Sequence, residues 1–160
     1  MSEEPTTSER SHLAFSWVCL ALFVLMGIGL EVLHAFKVSS YLDVQHSTRR
    51  LMWRLAHAHG TLLAILNLCF VFSLRLLPSW SSSGRRLAAV CLRAAALLLP
   101  LGFFLGGLHT YDGDPGIGVW LAPVGGMLML VGVTATAVAA WLQRPRTNEP
   151  SDSSDGVLGG

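Results

Sequence analysis

Polar and titratable side chains interrupt an apolar stretch, RRLMWRLAHAHGT at residues 49–61, in this chain of 160 residues. Charged groups are expensive near hydrocarbon, and they are usually retained there because they bind a ligand, move a proton or pair with a partner. Two histidines of the stretch, His57 and His59, can act as metal ligands or proton carriers. Two of its arginines, Arg50 and Arg54, can hold anionic groups by charge-assisted hydrogen bonds. This stretch is therefore the first candidate for a functional site.

Three further candidates lie near the ends of other apolar stretches. Glu31 and His34 are three residues apart, so they share one face of a helix. His109 comes near the end of a later apolar stretch. Together with the residues of the 49–61 stretch, these three supply imidazole, carboxylate and guanidinium groups to one prospective site.

Helical geometry separates the two histidines of the 49–61 stretch. At 100° per residue, Arg50, Arg54 and His57 lie on one stripe of a helix, whereas His59 lies about 200° away from His57. One ideal helix cannot present both imidazoles to a single ion. The other members of any site must therefore come from neighbouring helices.

Three kinds of site fit these residues. The first is a b-type heme, which takes axial histidines from different helices and arginines against its propionates. The residues expected to bind it are His59, His57, His34, His109, Arg50 and Arg54. The second is a single transition-metal ion, for which the candidate ligands are Glu31, His34, His57 and His109. The third is a path for protons or a small solute.

A local motif favours heme. Residues 56–66, around His59-Gly60-Thr61, resemble the heme-ligating second helix of heme–copper oxidase subunit I, which carries a similar His-Gly-Thr followed by an apolar run. The resemblance implies that His59 is a low-spin heme ligand. The copper-site and second heme-ligand motifs of that family have no counterpart here, so the resemblance does not imply oxygen reduction.

Four apolar blocks must position these side chains. Of all residues, 52% are hydrophobic and 13% are charged, compared with about 25% charged in an average soluble domain. The blocks cover residues 12–36, 51–77, 87–109 and 116–142, and each is long enough to cross a hydrocarbon core of about 30 Å. Short connections predict an all-α, integral membrane four-helix bundle with up-down topology. Before the last block, Asp114 and Pro115 are expected to form an N-cap and first helical residue.

Polar segments flank the bundle. Residues 1–11 form an N-terminal tail that lacks the basic region of a signal peptide, and residues 143–160 are expected to be disordered. Lys and Arg are more numerous on the side that the two termini share, so we expect both termini in the cytoplasm and the bundle in the inner or plasma membrane. A net charge of +1 gives no reason to expect a nucleic-acid partner.

Up-down connectivity brings the candidate residues to one end of the bundle, while the opposite halves of the helices hold almost no titratable groups, with Asn67 as the buried polar exception. We expect a small multi-pass membrane protein whose His/Glu/Arg site binds heme or a metal ion for electron transfer or redox chemistry. The residues leave two alternatives open. One is a non-enzymatic subunit or scaffold, because small-residue faces such as Gly102–Gly106 favour homo-oligomers or other membrane subunits. The other is a component of proton or small-solute transport. The lipid bilayer is a partner in every case.

Overall fold

The structure is a computed structural model that describes residues 6–42 and 47–143. Its elements, in chain order, are helices α1 (Thr7–Ala35), α2 (Ser39–Leu42), α3 (Ser47–Leu76) and α4 (Ser82–Leu108), strands β1 (Thr110–Tyr111) and β2 (Asp114–Pro115), a 3-10 helix (Ile117–Trp120) and helix α5 (Leu121–Leu142). Four of the helices are long, so the predicted all-α four-helix architecture is confirmed. The predicted disorder after residue 143 lies outside the described residues.

The four long helices are each long and apolar enough to cross a membrane, with the 3-10 helix extending the last of them. Helices α3 and α4 form the more buried centre, with α1 packed on α3 and α5 packed on α4. At the two ends of the last span, Trp120 and Trp141 are 72% and 66% exposed. The chain is therefore a small multi-pass membrane protein, and the side on which its termini lie stays a prediction.

Helices α1 and α4 begin before the corresponding apolar blocks, because polar residues cap their N-termini. Helix α1 begins five residues before its block, because Glu9 N donates to Thr6 Oγ1 at 3.3 Å and Thr6 N donates to the Glu9 carboxylate at 2.9 Å. Helix α4 also begins five residues early, with Gly84 N donating to Ser81 Oγ at 3.2 Å. Hydropathy does not locate such starts, since capping residues are polar.

The connection between α4 and α5 is a tight β-hairpin. Asp112 and Gly113 take φ values of +46° and +90°, the left-handed conformation that a type I′ turn needs. Strands β1 and β2 pair antiparallel on either side of them. The prediction that Asp114 caps the last helix was wrong, because Asp114 and Pro115 belong to β2. The N-cap of the 3-10 helix is Gly116.

Glycines bring the backbones of α4 and α5 together. A Cβ at Gly125 would lie 2.5 Å from Leu99 N, and a Cβ at Gly102 would lie 2.4 Å from Ala122 N. Small residues that allow such close approach are the usual basis of helix association in lipid. The glycine faces that suggested partner subunits are therefore used within the chain, and association with other copies or subunits stays a prediction.

Adjacent glycines of α5 provide a matched test of this packing. We expect Gly125→Ala to destabilise the protein by about 1–3 kcal/mol, because the added methyl overlaps the α4 backbone. Gly126→Ala meets only Leu99 Cδ1 at 4.0 Å and should change stability by no more than about 1 kcal/mol, in the stabilising direction of alanine in a helix. Unfolding of the detergent-solubilised variants measures both, and equal effects would contradict the packing described.

Candidate functional site

A cavity of about 950 Å³ lies between α1, α2 and α3, at the membrane face where α3 begins. Its carboxylate, imidazole and guanidinium groups come from α1 and α3 and belong to Glu31, His34, Arg50, Arg54 and His57. Apolar residues such as Val24 and Ile28 continue the lining along α1. The structure therefore brings five of the seven predicted site residues to one cavity.

His57 bridges α3 and α1. Its Nδ1 lies 2.8 Å from the carbonyl oxygen of Phe23, and because a carbonyl only accepts, Nδ1 must carry the proton. Nε2 is then the ring nitrogen left for a ligand. The imidazole lies directly against Gly27, where a Cβ would be 2.4 Å from His57 Cε1. Glycine at this position thus makes room for the histidine between the two helices.

Two arginines of the 49–61 stretch are used at the ends of neighbouring helices. Arg50 Nη1 donates to the carbonyls of the last two residues of α2, at 3.4 and 3.1 Å. Arg49 donates to the carbonyls of Gly107 and Leu108 at the end of α4, at 3.1 and 3.4 Å. Carbonyls at a helix C-terminus lack intrahelical partners and favour a cation. These bonds give both arginines a structural role and hold the three helices at one level.

Arg54, in contrast to Arg49 and Arg50, does not bond to the end of a neighbouring helix in the described part of the chain. It is exposed on the cavity wall, and within the described residues its side chain makes no hydrogen bond or ion pair. The same holds for Glu31 and His34. Apart from the histidines, the charged residues of the described lining, Arg50, Arg54 and Glu31, leave one positive charge in excess. The lining is therefore suited to a molecule with an apolar body and a head that carries one negative charge.

His59 and His109 do not line this cavity. His59 Nδ1 donates to the carbonyl of Leu55 at 2.9 Å, and the His59 ring centroid lies 5.0 Å from that of Phe103 on α4. His109 follows the last residue of α4 and is exposed. The two histidines of α3 thus face different helices, as the angle of about 200° predicts.

The histidines that do line the cavity lie at different depths. His57 is level with Gly27, and His34 is seven residues further along α1, or about 10 Å at 1.5 Å per residue. A metal ion accepts histidine nitrogens at about 2 Å. Within residues 6–42 and 47–143, no group of three or more His, Cys, Asp or Glu side chains is placed to hold a metal ion. The heme and metal sites stay predictions.

The sequence does not predict a buried polar pair in the halves of the helices that lie away from the cavity. His12 is 2% exposed and its Nε2 donates to Asn67 Oδ1 at 2.7 Å. The amide of Asn67 donates in turn to the carbonyls of Leu63 and Leu92, at 2.8 and 3.2 Å. The expectation named Asn67 as the buried polar exception in this half and did not include His12. The two residues are 55 positions apart in the chain, so no local spacing in the sequence predicts their contact.

Paired substitutions in α1 test the placement of His57. In Gly27→Ala the new methyl overlaps the imidazole, so we expect the ring to move and its bond to Phe23 to break, with a loss of about 1–3 kcal/mol in stability. Gly29→Ala is the control, because a Cβ there has nothing within 4 Å. Nitrogen NMR of labelled histidine, assigned with a His57→Gln variant, should show a protonated Nδ1 in the native protein and in Gly29→Ala only. A signal unchanged in Gly27→Ala would contradict the contact.

The comparisons with known proteins transfer no role to this cavity. The local resemblance around His59 concerns one segment, and that histidine lies outside the cavity. Any functional conclusion therefore rests on the side chains of this chain. No protein-family model matches the chain, and no curated protein or solved structure is significantly similar to it.

Proposed function

We propose that this membrane protein binds an amphipathic small molecule with a single negative charge in the cavity between α1 and α3. The observation that carries the proposal is Arg54, an arginine on the cavity wall whose side chain bonds to nothing within the described residues. A guanidinium group near hydrocarbon is costly and is usually retained for a partner. An acidic head group would supply that partner through a charge-assisted hydrogen bond.

The rest of the lining supports a ligand of this kind. Val24 and Ile28 extend the cavity along α1 toward the bilayer interior and offer an apolar wall for a hydrocarbon tail. His34 and the Nε2 atom of His57 can exchange hydrogen bonds with oxygen atoms of the head. Because much of the surrounding surface is apolar, the attraction between Arg54 and the head is stronger than it would be in bulk water.

The carboxylate of Glu31 restricts the charge that the head of the ligand can carry. It lines the same cavity as Arg50 and Arg54, and a second negative charge on the ligand would be repelled by it. The single positive charge in excess therefore favours a monoanion over a dianion. Long-chain carboxylates and phosphodiesters satisfy this condition, whereas a doubly charged phosphate monoester does not.

Oleate and oleyl alcohol test the proposal, because they share a chain and differ in the charge of the head. We expect the native protein to bind oleate more tightly, and Arg54→Gln to weaken oleate binding about tenfold, since a hydrogen bond to a charged group contributes roughly 1.5–3 kcal/mol. Arg75→Gln, an exposed arginine outside the cavity, is the control and should bind like the native protein. Native mass spectrometry of the full chain in detergent measures the adducts.

Two results would count against an acid-binding cavity. One is equal binding of oleate and oleyl alcohol by the native protein. The other is equal loss of oleate binding in Arg54→Gln and Arg75→Gln, which would reflect general charge rather than the cavity. Either result would favour the hypothesis of a non-enzymatic subunit or scaffold, in which the polar groups pair among themselves or with another protein.

A redox site is the second candidate, and one observation favours it. His57 uses Nδ1 for a backbone carbonyl, the arrangement by which metal-binding histidines fix the other nitrogen as the ligand. Heme b is also an amphipathic acid, with an apolar macrocycle, but its two propionates exceed the single negative charge that the lining favours, so only one of them would pair inside the cavity. In this version Arg54 would hold a propionate and His57 would supply one axial nitrogen.

An absorption spectrum with elemental analysis separates this candidate from a cofactor-free binder. If heme is bound, the pure protein should show a Soret band and one iron per chain, and His57→Ala should lose both. A His59→Ala variant is the control, because His59 lies outside the cavity. A preparation with no Soret band and no stoichiometric iron, copper or zinc would refute the redox version and leave the oleate test unaffected.

A further inference from the structure

A second cavity, of about 550 Å³, lies at the membrane face opposite the first. It is enclosed by the start of α1, the end of α3 and the start of α4. Thr6 and Ser8 line it from α1, and Ser82 lines it from α4. The N-termini of two long helices therefore meet there, and helix N-termini carry partial positive charge.

Three arginines of α4 line this cavity: Arg85, Arg86 and Arg93. The acidic residue in the lining is Glu9, whose carboxylate already accepts the backbone N–H of Thr6 as part of the cap of α1. Within the described residues, the side chains of Arg85 and Arg86 make no hydrogen bond or ion pair. The described lining of the cavity therefore carries an excess of two positive charges, from three arginines and Glu9.

The position of Arg85 and Arg86 is unfavourable for the helix itself. Both lie near the start of α4, whose first turn contains no acidic residue. Cations at a helix N-terminus are repelled by the helix dipole, whereas anions are stabilised there. An anion bound in the cavity would remove this repulsion and satisfy both helix N-termini at once.

Arg93 provides a second, independent indication that the cavity binds a ligand. It lies six residues inside the apolar block that begins at residue 87, or about 9 Å along the axis at 1.5 Å per residue, where an arginine is costly. Its guanidinium carbon is 5.6 Å from the ring centroid of Phe15, and its Nη2 reaches Ser11 Oγ only at 3.5 Å. Its Nε is buried with no hydrogen-bond partner among the described residues. A buried N–H without an acceptor costs free energy that a ligand oxygen would recover.

From these observations we propose that the second cavity binds a phosphate group, as carried by the head of an anionic phospholipid in that leaflet. Phosphate oxygens match the planar fork of an arginine, and two or three such forks around one group give both affinity and orientation. The site is separate from the cavity between α1 and α3, so neither proposal depends on the other.

The test compares dioleoylphosphatidylglycerol with dioleoylglycerol, which has the same chains and no phosphate, by native mass spectrometry of the full chain. We expect the phospholipid to bind more tightly. The double variant Arg85→Gln/Arg86→Gln should weaken its binding at least tenfold, and Arg93→Gln should do the same. Arg75→Gln is the control, because Arg75 is near the same end of the bundle and does not line the cavity; its binding should change less than twofold.

Inorganic phosphate identifies the source of the group. If phosphate alone raises the unfolding temperature, and the double variant abolishes the rise, the site takes free phosphate as well as the lipid head, which supports a phosphate site. Equal binding of the two lipids would overturn the proposal. So would equal losses in Arg75→Gln and the double variant, because the arginines would then act only as general positive charge that orients the chain. Since Arg85 and Arg86 bond to nothing within the described residues, the double variant keeps the test valid even where Arg93→Gln fails to fold.

Discussion

The side chain of Asn67 joins three of the four spanning helices. From α3 it donates to a carbonyl of its own helix and to Leu92 O on α4, and it accepts from His12 on α1. In hydrocarbon no water replaces a broken hydrogen bond, so each of these groups depends on the others. Because α1 packs mainly on α3, this junction also anchors α1 to the centre of the bundle. Both proposed binding cavities have walls on α1, and their shapes rest on that anchorage.

The two cavities lie at opposite ends of α1, and an apolar seal separates them. Cys19 and Phe23 of α1 pack against Ala64 of α3 at the level between them. These three side chains carry no charge, so at this level an apolar cluster lies between the charged linings of the two cavities. The two binding proposals can therefore be tested one at a time.

The sequence predicts whatever depends on periodicity and length. Four apolar blocks exceed the thickness of a bilayer, and the stripe of Arg50, Arg54 and His57 follows from the angle between successive residues. The sequence does not predict contacts between residues that are distant in the chain. That Arg50 would bond to carbonyls of α2, or that His12 would meet Asn67, depends on how the helices rotate and slide against each other. No spacing within one helix encodes that placement, and the contact of His59 with Phe103 of α4 could likewise not be predicted from the local motif around His59.

The distance between the exposed tryptophans at the two ends of the last span matches the thickness of the hydrocarbon core. Trp120 and Trp141 are 21 residues apart, which corresponds to about 31 Å along a helix, close to the hydrocarbon thickness of a typical membrane. Indole rings prefer the interface between hydrocarbon and head groups. Two such anchors at this separation favour one depth of α5 in the bilayer over others. Through the close glycine contacts of α5 with α4, α4 would share that depth, and with it the arginines that line the second cavity.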